Sequence, residues 1–230
     1  MLHRYLFLAL GCMLFSFSAA FAQAFRKGSL LVSISGGDTY ANFSTCNRGN
    51  GEVKGENQNM DGIRDPLIIE YGITDQIGIG FSSGVDYYKV DPVAFYGFQS
   101  AHEKVRIATK EITGDVNYHF FTSNVIDLSC YGSLGLFNTS FEDKTMGNNK
   151  NKSTGGIARA GTRARVYVYK GLAVMFMFST FTSSATAKYS NSTETTAGKA
   201  YNTNIKGYAT EFGLSYHIKP KLPKGPALKK

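Results

Sequence analysis

Between Pro66 and Tyr88 the chain alternates apolar residues with small or polar ones at a period of two. Leu67, Ile69, Tyr71 and Ile73 share one face of an extended strand, and Ile68, Glu70, Gly72 and Thr74 share the other. After Asp75-Gln76 the alternation resumes, with Ile77, Ile79, Phe81, Val85 and Tyr87 opposing Gly78, Gly80, Ser82, Gly84 and Asp86. Two adjoining runs of this kind predict antiparallel strands with one greasy and one polar face, joined by a tight turn. Each run is about 9 to 12 residues long, which is the length that crosses a bilayer at a tilt.

The same period predicts six further strands. Gly28 to Ser35 places Leu30, Val32 and Ile34 against Ser33 and Ser35. Lys104 to Phe121 places Ile112, Val116, Tyr118 and Phe120 against Thr113, Asp115, Asn117 and His119. Its first part, Val105 to Glu111, is out of phase with the rest, which predicts a bulge there. Ile126 to Phe141 leaves its outer face open between Leu128, Cys130, Leu134 and Leu136 on one side and Tyr131 and Phe137 on the other. Gly155 to Tyr169 sets Ala158, Ala160, Ala164, Val166 and Val168 against Arg159, Arg163, Arg165, Tyr167 and Tyr169. Leu172 to Ala187 follows, and Ile205 to Ile218 sets Tyr208, Phe212, Leu214, Tyr216 and Ile218 against Ala209, Glu211, Gly213 and His217.

Long and short connections alternate strictly between these strands. Gly37 to Gly62, Val90 to Glu103, Glu142 to Thr154 and Thr186 to Asn204 are long and polar. The turns at Asp75-Gln76, Thr122 to Asn124 and Lys170-Gly171 are short. The long connections therefore share one end with each other, and the short turns share the opposite end with both termini. The expected fold is all-β: an eight-stranded antiparallel up-and-down transmembrane β-barrel with short periplasmic turns and long extracellular loops. Tyr87, Tyr88, Phe120, Phe121, Tyr167, Tyr169 and Tyr216 fall near strand ends and read as interface girdles, which lack tryptophan because the chain has none.

Residues 1–22 read as a secretory signal peptide, with Arg4 ahead of an apolar stretch and Ala20-Phe21-Ala22 at the cleavage position. Residues 23–218 read as the barrel and 219–230 as a basic periplasmic tail. The chain carries 25 basic and 17 acidic residues for a formal charge of +8, but five of its lysines lie beyond Ile218. The basic balance is thus mostly a property of the tail, and nucleic acid is not an expected partner. Cys46 falls in a long loop and Cys130 in a strand on the opposite side, too far apart for a bridge, so both are expected to be free.

The run Glu70-Tyr71-Gly72-Ile73-Thr74-Asp75-Gln76-Ile77-Gly78-Ile79-Gly80 is similar to a recurring strand-turn-strand segment of a known superfamily, and Gly156 to Arg163 is a weaker echo. On these residues the chain resembles the small eight-stranded outer-membrane β-barrel proteins of Gram-negative bacteria. That resemblance implies outer-membrane lipid and the outer-membrane assembly machinery as partners, and the cell outer membrane as location. Members of the family usually end on an aromatic residue. Here twelve residues follow Ile218, and Phe212 or Tyr216 stands inside the last strand instead.

If the apolar face meets lipid, the polar face lines the lumen. The inward candidates are Glu70, Asp86, Asp115, Arg159, Arg163, Arg165 and Glu211, with His119 and His217. An eight-stranded barrel is just wide enough for side chains to fill. Three arginines in that space require carboxylate partners, expected from the second, third, fourth and eighth strands, since the seventh has no acid and the fifth only Asp127 at its turn end. The expected result is an Arg-carboxylate network that plugs the barrel. The expected role is structural or interactive, through the extracellular loops and a partner not identified by the sequence. The rivals are a narrow anion-selecting channel and a soluble lipocalin-like barrel with its apolar face inward. Asn57, Asn59, Asp61 and Gly62 match the middle of a calcium loop but lack its first Asp and its final Glu, so no metal or other cofactor is assigned. The histidines lack the placement that catalysis at the lipid face requires, and no enzyme activity is expected.

Overall fold

The computed structural model describes residues 25–47, 58–90, 105–143, 149–188 and 200–218. The expected signal peptide, the basic tail and Asn57 lie outside the described residues. Eight strands follow one another: β1 (Leu30–Asn47), β2 (Gln58–Gly72), β3 (Ile77–Val90), β4 (Val105–Thr122), β5 (Ile126–Asp143), β6 (Asn149–Tyr169), β7 (Leu172–Lys188) and β8 (Ala200–Ile218). Each pairs antiparallel with its neighbours, and β8 returns to β1, running from Leu30 opposite Ile218 to Asn47 opposite Tyr201. Closure leaves no strand edge, which is the condition a sheet must meet to sit in lipid. At Lys170 (φ 32°) and Gly171 (φ 91°) two successive residues take the left-handed backbone that a two-residue hairpin needs.

The outer wall carries an apolar belt: Ile34, Leu67, Ile69, Ile79, Phe81, Ile112, Val116, Leu134, Leu136, Phe176, Phe212 and Leu214 are all exposed. Leu134 is 73% exposed, and it stands in a contiguous apolar belt of a size that soluble monomers rarely leave uncovered. Tyr71, Tyr118, Phe120, Phe121, Tyr169 and Tyr216 ring the short-turn end of the belt, and Tyr40, Tyr87 and Tyr208 stand outward near its other end. Tyr40 and Tyr208 stack there, with centroids 5.1 Å apart. From Ile77 to Tyr87, or Leu30 to Tyr40, is about ten residues, enough to cross the apolar layer at a tilt.

The strands do not stop at that upper ring. β1 and β5 have 18 residues each, β6 has 21 and β8 has 19. Much of what reads as long loop in the sequence is strand: β1 continues past Gly37 to Asn47, and Gln58 to Gly62 belong to β2. Beyond the ring the hydrophobic preference of the two faces is exchanged. Outward positions become polar, as with Asn42, Asn59, Lys89, Lys110, Asn138, Lys152, Thr182 and Lys206. Among the inward positions, Ala41, Phe43, Met60, Tyr88, Ile107, Phe137, Ile157, Phe181, Ala185 and Ile205 form one buried core to which all eight strands contribute, interleaved with buried Thr39, Thr109, Thr139, Ser153, Ser183 and Thr203.

This exchange corrects several expectations. Val105 to Glu111 carries no bulge: Ile107, Thr109 and Glu111 point inward in unbroken phase with Thr113 and Asp115. The irregularity of β4 falls at the other end, between His119 and Phe121. A second lies between Tyr167 and Tyr169 in β6, so Tyr169 faces outward while Tyr167 is buried in the lumen. Tyr88 also points inward and belongs to no girdle. In β5, Cys130, Leu134 and Leu136 face out, while Tyr131 and Phe137 face in. Cys130 is exposed and free.

A chain carrying Cys46→Ser and Asn138→Cys, displayed in whole cells, will react with a membrane-impermeant maleimide at residue 138 and not at Cys130. Reaction at Cys130 alone would reverse the placement of the belt.

Candidate functional site

Below the apolar core the lumen is filled by charge. Among the described residues four arginines (Arg64, Arg159, Arg163, Arg165) and six carboxylates (Glu70, Asp86, Glu111, Asp115, Asp127, Glu211) are buried there. Alternation places each of them: every one occupies an inward position of its strand, and the small inward residues beside them make room. A Cβ on Gly84 would meet the Arg64 guanidinium at 3.3 Å, and one on Gly78 would strike the Glu70 carboxylate.

The upper group centres on Arg64 of β2. Its Nη1 donates to Asp86 Oδ1 of β3 at 2.9 Å and its Nε donates to Glu211 Oε1 of β8 at 3.1 Å, while Nη2 donates to Glu111 of β4. Arg159 Nη2 donates to the other oxygen of Glu111 at 2.9 Å and lies 3.9 Å from Asp86. Ser35 Oγ donates to the second oxygen of Glu211 at 2.8 Å. Phe181 covers this group from the core side, its ring 4.6 Å from the Arg159 guanidinium carbon.

The next group down holds Arg163, which donates from Nη2 to Asp115 Oδ2 at 3.2 Å and from Nη1 to Asn117 Oδ1 at 2.5 Å. Its guanidinium lies 3.9 Å over the ring of Tyr131, which β5 turns inward in phase with Ser129 and Ser133. The lowest group joins Arg165 to Glu70 at 2.7 Å and to Asp127 at 2.9 Å. His119 sits between the same two carboxylates, with Nε2 2.6 Å from Glu70 and Nδ1 2.7 Å from Asp127. Phe25, ahead of β1, lies flat on the His119 imidazole with centroids 3.6 Å apart. The segment before the first strand thus closes the short-turn mouth. His217 Nε2 lies 2.9 Å from Ser29 Oγ at the same end.

Glu70, Asp86, Asp115, Arg159, Arg163, Arg165 and Glu211 are therefore all buried in the lumen, Asp86, Arg159 and Glu211 in the upper group and Glu70, Asp115, Arg163 and Arg165 in the two below. Two details differ from expectation. Asp127 of β5 is a principal partner of Arg165, and Glu211 serves Arg64 more directly than the arginines of β6. Sequence reasoning missed Arg64 because it lies in the stretch read as the approach to a loop. It missed Glu111 because Val105 to Glu111 was read as out of phase. A single signal could have found both: counted from the Ile68–Glu70 face of β2 and the Thr113–Asp115 face of β4, each falls on an inward position.

Asn59 and Asp61, read as part of a calcium-like pattern, stand on the outer face of β2. Among the described residues no group of three or more His, Cys, Asp or Glu is placed to hold a metal.

A buried ion pair gives little net stability over an apolar filling, but removing one partner strands the other charge. Arg64→Met leaves three carboxylates short of their shared cation and is expected to lower unfolding free energy by about 3–5 kcal/mol. The exposed control Lys110→Ala should stay within about 0.5 kcal/mol of wild type. Urea titrations of the folded chain in lipid vesicles measure both. Equal, small losses would mean that Arg64 is hydrated and not shared among the three acids.

No family model matches the sequence, and none of the curated proteins searched matches it. Solved structures do. The chain is similar to the outer membrane protein OprG from Pseudomonas aeruginosa, at 13% identity, a TM-score of 0.53, and coverage of 86% of this chain and 100% of that one. It is also similar to the outer membrane protein AlkL, determined by solid-state NMR in DMPC lipid bilayers. That match has 10% identity, a TM-score of 0.50, and coverage of 90% of this chain and 97% of the other. Identities this low speak for the fold alone. With the closed eight-stranded sheet and a belt that only lipid can cover, they identify the chain as a membrane-spanning barrel with the fold of the small eight-stranded outer-membrane β-barrel proteins.

Proposed function

We propose that this protein is a non-conducting outer-membrane barrel that works at its outer surface, through the wall and connections it raises above the membrane. The reading assigns it no catalytic step and no transported solute. One observation carries it: side chains fill the lumen from Phe25 at one mouth to the core around Phe43, Met60 and Ile205 near the other. The charged groups between them are spent on each other, with each of the four arginines within 3.2 Å of at least one carboxylate oxygen.

An anion-selecting channel needs arginines that face water and offer their charge to a passing ion. Here every guanidinium is paired with at least one fixed acid, and the rings of Phe181 and Tyr131 lie over Arg159 and Arg163. A strand wall that continues past the girdle as a barrel with a dry core is a stiff pedestal. Its polar outer face and the segments that join β1 to β2, β3 to β4, β5 to β6 and β7 to β8 are what a partner outside the cell meets.

Planar-bilayer recording on the refolded chain tests this reading. The wild type is expected to give no resolvable single-channel steps. The double variant Arg159→Gly, Phe181→Ala, which removes one cation and the ring above it, is expected to introduce leak current. Steady ohmic conductance with anion preference in the wild type would instead establish the narrow channel.

A further inference from the structure

The outer wall is not uniformly filled. Across β4 to β7 it carries an open groove with a volume of about 560 Å³. Its floor is built from Gly114, Gly132, Ala158, Ala160, Thr180 and Thr182, and Val116 and Leu134 stand at its rim. A Cβ placed on Gly114 or on Gly132 would meet nothing within 4 Å, so the space above both is open.

The groove has a direction. Gly114 pairs with Leu134, Leu134 with Ala158, Ala158 with Thr182, and Thr182 with Lys206. The next row runs Val116, Gly132, Ala160, Thr180 and Tyr208. Strands in a barrel tilt by about 35–45°, so a row that follows the ladder climbs the wall. The two rows leave the apolar belt at β4 and β5, pass one outward threonine each, and reach Lys206 and Tyr208. Lys206 is exposed and has no carboxylate partner among the described residues.

Charge on the outer wall is also divided by strand among the described side chains: outward acids lie on β1 and β2 (Asp38, Asp61, Asp65), whereas outward lysines lie on β3, β4, β6 and β8 (Lys89, Lys110, Lys152, Lys206). The groove therefore opens beneath the basic side of the barrel. We propose that it seats one acyl chain of a phospholipid of net negative charge in the outer leaflet, with the phosphate held at Lys206 and the hydroxyls of Thr180 and Thr182 beside it.

Each part of such a lipid meets its complement. The small floor lets a chain approach the backbone closely, as small residues do at contact surfaces in membranes. The cation stands at the level of the headgroup, where a lysine adds about 1 kcal/mol of attraction to an anionic lipid. A second copy of this chain fits less well, because a two-fold contact through the groove would bring the two basic sides together.

The test is native mass spectrometry of the full refolded chain in detergent, offered phosphatidylglycerol or phosphatidylcholine of equal chain length. The wild type is expected to retain about fivefold more of the anionic lipid. Lys206→Gln should abolish that preference, and Ala158→Phe, which fills the groove, should lose both adducts. Leu67→Phe on the opposite wall should change neither. Heat-modifiable gel mobility checks that each variant is folded, and Ala160→Phe tests the same seat if Ala158→Phe is not. Equal retention of the two lipids by the wild type, or a preference that survives both Lys206→Gln and the groove-filling variants, overturns the proposal. So does a dimer in place of a lipid adduct, if Ala158→Phe abolishes it.

Discussion

The structure depends on the Arg64 guanidinium and the three carboxylates that converge on it. Asp86, Glu111 and Glu211 come from β3, β4 and β8, so one side chain of β2 ties four strands across the lumen. In a barrel this narrow side chains fill the interior, and Arg64 and its three acids are each 1% exposed. Once the wall is closed, the inward charges must satisfy one another. The same rule repeats below, where Arg165 and His119 share Glu70 and Asp127. The groups differ in membership, but all are answers to one constraint: ions in a space closed to solvent.

A second constraint acts on the outside and explains why the strands run so long. Inward and outward positions alternate without interruption from the short turns to the upper ends of the strands. What changes is the medium outside the wall. Against lipid the outer residues are apolar and the inner ones carry the charges; above the girdle the outer residues are polar and the inner ones build an apolar core interleaved with threonine and serine. The molecule is thus a membrane barrel continued upward as a soluble one. The lipocalin-like alternative describes the upper part of this wall and fails for the belt beneath it.

Much of this was legible in the sequence. The Pro66–Tyr88 hairpin, the eight strands, their order and the alternation of short and long connections follow from period-two patterning and turn residues. So does the inward placement of Glu70, Asp115 and the three arginines of β6. The upper strand ends were not legible, because the rule that apolar residues face out holds only where lipid is outside. Applied to Val105 to Glu111, that rule reads a true continuation as a break in phase and hides Glu111. Tyr131, Tyr167 and Tyr88 were misplaced or left open for a related reason: an aromatic ring suits an interface girdle, yet it also suits the face of a buried guanidinium or a dry core. Which use applies is decided by partners on other strands. The closure of the lower mouth by Phe25 was equally hidden, since nothing near Phe25 in sequence points to His119.

The most direct test of the account is a solid-state NMR measurement on the ¹³C,¹⁵N-labelled chain in lipid bilayers, reading contacts between arginine side-chain nitrogens and carboxyl carbons. The account predicts through-space cross-peaks from Arg64 to Asp86, Glu111 and Glu211, with those carboxyls shielded from magnetisation transfer by water. Carboxyl signals that exchange freely with water and show no contact to Arg64 would mean that the lumen is open and the central claim is wrong.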